Sequence, residues 1–100
     1  MRGRILDERN PALQRYALGH VRMVLHALTD YQDSHEGELP ERIELHPKVM
    51  QSFLNELLRR YPRYFEDFTD EGYFFGIPIV TSESFDQPRL ISRTGKIQYL

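Results

Sequence analysis

A chain of 100 residues has room for one hydrophobic core, so a single domain is expected. A hydrophobic share of 40% and a charged share of 28% exclude a disordered chain, and a net charge of −2 offers no global attraction to nucleic acid or an anionic membrane. The absence of cysteine excludes disulfides, a thiol nucleophile and thiolate-bound zinc.

The first residues, "MRGRILDER", carry charge without periodicity and are read as a mobile arm spanning 1–9, with one α+β domain over 10–100. Charge interrupts this stretch before an apolar signal-peptide core can form, and no apolar run nears the ~20 residues needed to span a bilayer. The chain is therefore expected to be neither secreted nor membrane-bound.

Asn10-Pro11 reads as a helix start, with Pro at the first helical position. Leu13, Tyr16, Ala17, His20, Val24, Ala27, Leu28 and Tyr31 form one stripe at three- and four-residue steps, predicting a helix to about Asp33. Gln14, Arg15, Arg22 and Asp30 fall on its polar side, and "SHEGELP" ends it as a loop.

"ERIELH" alternates, with Ile43 and Leu45 inward and Glu44 and His46 outward, as in a half-buried strand. Pro47 then opens a second helix whose stripe is Val49, Met50, Phe53, Leu54, Leu57, Leu58 and Tyr61, and Pro62 stops it. "RYFEDFTDEG" reads as one helical turn followed by a turn at Gly72.

The segment Tyr73–Val80, "YFFGIPIV", reads as a strand apolar on both faces, with Tyr73, Phe75, Ile77 and Ile79 on one of them. Pro78 removes a ladder donor, so the strand is expected at a sheet edge or bent at a bulge. Such an edge needs a cover, internal or from a partner. Tyr73, Phe75, Ile77, Pro78 and Ile79 are thus candidate interface residues. "RLISR" and "KIQYL" around Thr94-Gly95 form a hairpin. The order α-β-α-β-β-β predicts two helices packed on one face of a small, mostly antiparallel sheet.

No residues form a recognisable catalytic set. The serines lack a nucleophile elbow or a paired His, and no Gly-rich loop opens a helix after a strand. His26, Asp30, His35 and Glu36 can be drawn as a mononuclear site but lack HExxH spacing. Glu66, Asp67, Asp70 and Glu71 fail as an EF-hand because Pro78 stands where the bidentate Glu belongs. No enzyme activity, metal or cofactor is expected.

Thirteen cations are nearly all Arg, the better residue for planar contacts with carboxylate or phosphate. Arg59, Arg60 and Arg63 end the second helix, where they complement its dipole; with Tyr64 they form a candidate patch for an anionic partner. The acids of 66–71 follow at once, which disfavours nucleic acid.

"IELHPKVMQSFL", "FFGIPIVTSESF", "RLIS" and a short last strand resemble part of the major capsid proteins of tailed bacteriophages, over roughly residues 42–100. Gly76, Pro78, Ile79 and Ser82 match that family's hydrophobic-Gly-x-Pro strand, and Pro47 opens its helix. Similar endings occur in small phage-encoded proteins. Capsid subunits are far longer, so the resemblance implies phage ancestry more than a shell-forming role, and it carries over no catalytic residue. A small phage structural or assembly protein is expected, touching itself as a homo-oligomer or touching virion components, in the host cytoplasm or the virion. A soluble inhibitor or adaptor of a host protein is the second reading, and nucleic-acid binding the third.

Overall fold

The computed structural model describes residues 19–100; the arm at 1–9 and the Asn10-Pro11 helix start lie outside the described residues. Helix α1 spans His20–Ser34, strand β1 Arg42–Leu45, helix α2 Pro47–Arg60 and the single turn α3 Pro62–Phe65. Strands β2 (Tyr73–Phe74), β3 (Ile77–Thr81), β4 (Arg89–Ile91) and β5 (Ile97–Tyr99) follow. The five strands form one sheet in the order β2-β3-β1-β4-β5. Only β1 and β3 run parallel; the other three pairings are antiparallel, giving the α+β architecture expected of the sequence.

The two longer helices share one core with one face of the sheet. Val24, Leu25 and Leu28 of α1 and Phe53 and Leu57 of α2 are fully buried beside Ile43 and Leu45 of β1, Phe74 of β2 and Leu90 of β4. Phe53 meets Phe74 edge-on at 5.2 Å, a geometry aromatic rings favour. The second helix also caps the first. Glu56 of α2 accepts the Val21 N–H at 2.9 Å, where a helix start has unpaired donors. Gly19 makes this approach possible, since a Cβ there would lie 2.7 Å from the Glu56 carboxylate. His46 caps α2 by accepting the Lys48 N–H through Nδ1, and Pro47 occupies the first turn.

Three details depart from the sequence pattern. Arg22, expected on the polar side of α1, is 1% exposed, because α1 is buried over a wider arc than its stripe suggests; its Nε–H donates to His26 Nε2 at 3.0 Å. Leu58, placed in the α2 stripe, is 58% exposed, since only Phe53 and Leu57 of α2 reach the centre of the core. Glu44, expected to be solvated, is 6% exposed.

The largest departure is at Tyr73–Val80, which is two strands rather than one. Phe75 and Gly76 both take positive φ, 52° and 78°, the conformation of a two-residue hairpin turn matched to strand twist. Phe74 pairs with Ile77 and Tyr73 with Pro78. Phe74–Ile77 flanks the turn and is the hydrogen-bonded pair, so Tyr73–Pro78 is the pair that exchanges no bonds. On its other side Pro78 stands one residue before the first β1–β3 partners, Ile43 and Ile79. Its missing donor therefore falls where neither ladder uses it. The strand with the Pro is neither a sheet edge nor bulged: β3 lies between β2 and β1.

Candidate functional site

Side chains of paired residues lie on the same face of a sheet, and the face alternates along each strand. Ile43, Ile79 and Leu90 are in register and point to the helices. The opposite face is therefore built from Val80, Glu44, Arg89 and Tyr99 in one row, and from Arg42, Ile91 and Ile97 in the next. Pro78 and its partner Tyr73 extend this face at the β2 end. Tyr73 (41%), Val80 (40%), Ile97 (50%) and Tyr99 (55%) are exposed, whereas Ile91 (3%) and Glu44 (6%) between them are buried, so this face is open at its two flanks.

The centre of this open face is ionic. Glu44 Oε1 accepts from Arg89 Nε at 2.7 Å and Oε2 accepts from Arg42 Nε at 2.9 Å. Arg42 Nη1 also donates to Glu41 at 2.9 Å. The Arg89 guanidinium lies 4.7 Å from the centre of the Phe85 ring, within cation–π range. Burial alone would raise the Glu44 carboxyl, but hydrogen bonds and charge from Arg42 and Arg89 outweigh it and hold Glu44 below the ordinary glutamate range. Hydrogen bonding to Glu44, and to a lesser extent to Tyr99, raises Arg89. Both arginines donate their Nε–H to one carboxylate, which ties β1 and β4 together across this face. The result is a hydrogen-bonded polar centre flanked by apolar side chains.

The residues singled out in the sequence are divided by the fold. Of the five candidate interface positions, Tyr73 and Pro78 lie on the open face. Ile77 is buried, and Phe75 and Ile79 pack at the margin of the helix-side core. As a free strand edge the set does not exist, because β1 covers one side of β3 and β2 the other. The cationic candidates are dispersed too. Arg59 and Arg60 border a cleft of about 470 Å³ with Gly19, Ser52, Asn55 and Glu56, whereas Arg63 lies outside it on α3. The Tyr64 ring is half-buried, 6.2 Å from Phe75 and 6.4 Å from Tyr61, and is not a free stacking surface.

Each histidine has a local partner. His20 Nδ1 bonds Ser52 Oγ at 2.9 Å, His26 receives Arg22, and His46 caps α2. His35 stacks on Tyr31 at 3.7 Å and donates from Nδ1 to the Tyr31 carbonyl. Among the described residues no three His, Asp or Glu are grouped to hold a metal ion, and no helix is long and apolar enough to cross a membrane.

Sequence reasoning did not single out Arg42, Glu44, Arg89, Ile97 or Tyr99. The β4–β5 hairpin sets Arg89 against Tyr99 and Ile91 against Ile97, but only the strand order brings them beside Arg42 and Glu44 of β1. No protein-family model matches the chain, and no curated protein or solved structure matches it significantly.

Proposed function

We propose that this protein works by protein–protein contact rather than catalysis, and that the open face of the sheet is its contact surface. The observation that carries this reading is the cluster Tyr73, Val80, Ile97 and Tyr99, exposed around the Arg42–Glu44–Arg89 centre. Exposed apolar side chains gathered on one surface mark interaction sites, and Tyr and Arg are among the side chains that carry most binding energy there. An ion pair already formed and clamped gives a partner a fixed pattern to match and loses little side-chain freedom on binding.

Within that reading, a small phage structural or assembly protein is the role we favour. Its support is the strand–Pro–helix unit and the Gly76-x-Pro78 segment, which resemble the phage capsid proteins. An inhibitor or adaptor of a host protein uses the same surface and differs only in the partner.

The test is a comparison of two charge variants as bait for partners, with circular dichroism to confirm folding. Val80→Lys with Tyr73→Lys should lose the partners of the wild-type protein, whereas Arg59→Glu with Arg60→Glu should keep them. Partners that survive the first pair and vanish with the second would move the contact surface to the α2 end.

A further inference from the structure

Every strand edge must satisfy or solvate its outward backbone groups, and here the two edges differ. At the β2 edge the outward groups belong to Tyr73. Its carbonyl accepts the Thr69 N–H at 2.8 Å and its N–H donates to Thr69 Oγ1 at 3.2 Å. Phe68 bridges Phe74, and the Phe75 N–H donates to the Asp67 carbonyl at 2.9 Å. Residues 67–69 thus close that edge.

The β5 edge has no such cover among the described residues. Ser92 N–H donates to the Lys96 carbonyl and Leu100 N–H to the Pro88 carbonyl, so residues 96, 98 and 100 turn their backbone groups toward β4. By alternation Ile97 and Tyr99 turn theirs outward. Their side chains are half exposed, and no charge lies within β5 to repel another strand.

Resting on the contact reading above, we propose that the occupant of this edge is a second copy of the chain, paired antiparallel with β5 about a two-fold axis at Gln98. The edge is complementary to itself. That axis sets Ile97 of each copy against Tyr99 of the other, each pair exchanging both its N–H···O bonds. The two side chains meet on the open face as an aromatic–β-branched pair, a favoured cross-strand combination. Lys96 falls opposite the second copy's Leu100 and not opposite itself, so like charges do not meet. The open face then runs on without a break from Val80, Glu44, Arg89 and Tyr99 into Ile97, Ile91 and Arg42 of the second copy. Because residues 67–69 close the β2 edge, addition stops at two copies and does not propagate into a filament.

Light scattering on a sizing column tests this across a wide concentration range. The expected mass is twice the 11.9 kDa of the chain at high concentration, falling toward one chain on dilution. Ile97→Lys with Tyr99→Lys should give the single-chain mass at every concentration with an unchanged circular dichroism spectrum. Ile97→Pro, which deletes an outward donor and no internal bond, should do the same if the double variant fails to fold. Arg59→Glu with Arg60→Glu, on α2 and outside the open face, should remain a dimer. A wild-type protein that stays at single-chain mass at the highest concentration overturns the proposal, as does an Ile97→Pro variant that stays dimeric. A single-chain mass with partner capture still lost on Val80→Lys and Tyr73→Lys would refute the dimer alone and leave the contact reading standing.

Discussion

The two edges of this sheet solve one problem in opposite ways. At β2 the chain doubles back, and residues 67–69 take up every outward group of Tyr73, at the cost of two consecutive left-handed residues in the hairpin turn. At β5 the chain runs three residues in register with β4, and Ile97 and Tyr99 keep their outward groups. The first edge is tied to the core through Phe74, while the second carries no fully buried side chain. An edge built into the core has little left for a partner. An edge left out of it can be changed without unfolding the protein, which suits a contact surface.

Substitutions at the two edges should therefore differ widely in effect. Phe74→Ala removes a fully buried ring packed on Phe53 and Phe75 and should cost about 3–5 kcal/mol in denaturant unfolding. A loss near zero would mean that β2 is not anchored as described. Between the edges, Glu44→Ala leaves Arg42 and Arg89 side by side without their shared carboxylate. Both arginines remain partly solvated, so the cost should be about 1–2 kcal/mol rather than that of a fully buried pair.

The same group gives a pH dependence. Its carboxyl is lowered in the folded state, so its contribution is fully present above the unfolded glutamate value and is lost as pH falls through the lowered folded one. The wild-type and Glu44→Gln stabilities should converge on acidification through that window. A gap that stays constant to low pH would show that Glu44 acts through packing and not charge.

Thr69→Val deletes the side-chain acceptor of the Tyr73 N–H while keeping the shape, and should cost about 1 kcal/mol. It would also free an outward donor at β2, so any new concentration-dependent association in this variant sharpens the contrast between the edges. The smallest effect belongs to Tyr99→Ala. Its side chain is mostly exposed, and monomer stability should change by no more than about 0.5 kcal/mol while self-association weakens.

What was legible in the sequence follows the same division. Pro47, Pro62 and Gly95 are strong local signals, and the elements they bound stand where the pattern puts them. The α2 stripe located Phe53 and Leu57, and the β1 alternation located Ile43 and Leu45. The hairpin at 75–76 was not legible because Phe is a poor residue for positive φ, so an aromatic run ending in one Gly reads as a strand. Packing compensates there, with the Phe75 ring 4.6 Å from Phe74 and 6.2 Å from Tyr64. The burial of Glu44 was illegible for another reason. It depends on Arg89, 45 residues away, and no local pattern announces a pairing set by sheet topology. Tyr73 and Pro78 stand among the sequence candidates for a strand edge and lie on the open face, while Arg42, Arg89, Ile97 and Tyr99 required the strand order.

The most direct test of the contrast is amide hydrogen exchange, resolved by residue and followed with protein concentration. The Tyr73 amide should be protected to the same degree at all concentrations, since its acceptor is Thr69 of the same chain. The Ile97 and Tyr99 amides should exchange fast in dilute protein and slow as concentration rises. Fast exchange at Tyr73, or protection of Ile97 and Tyr99 that does not depend on concentration, would contradict the account.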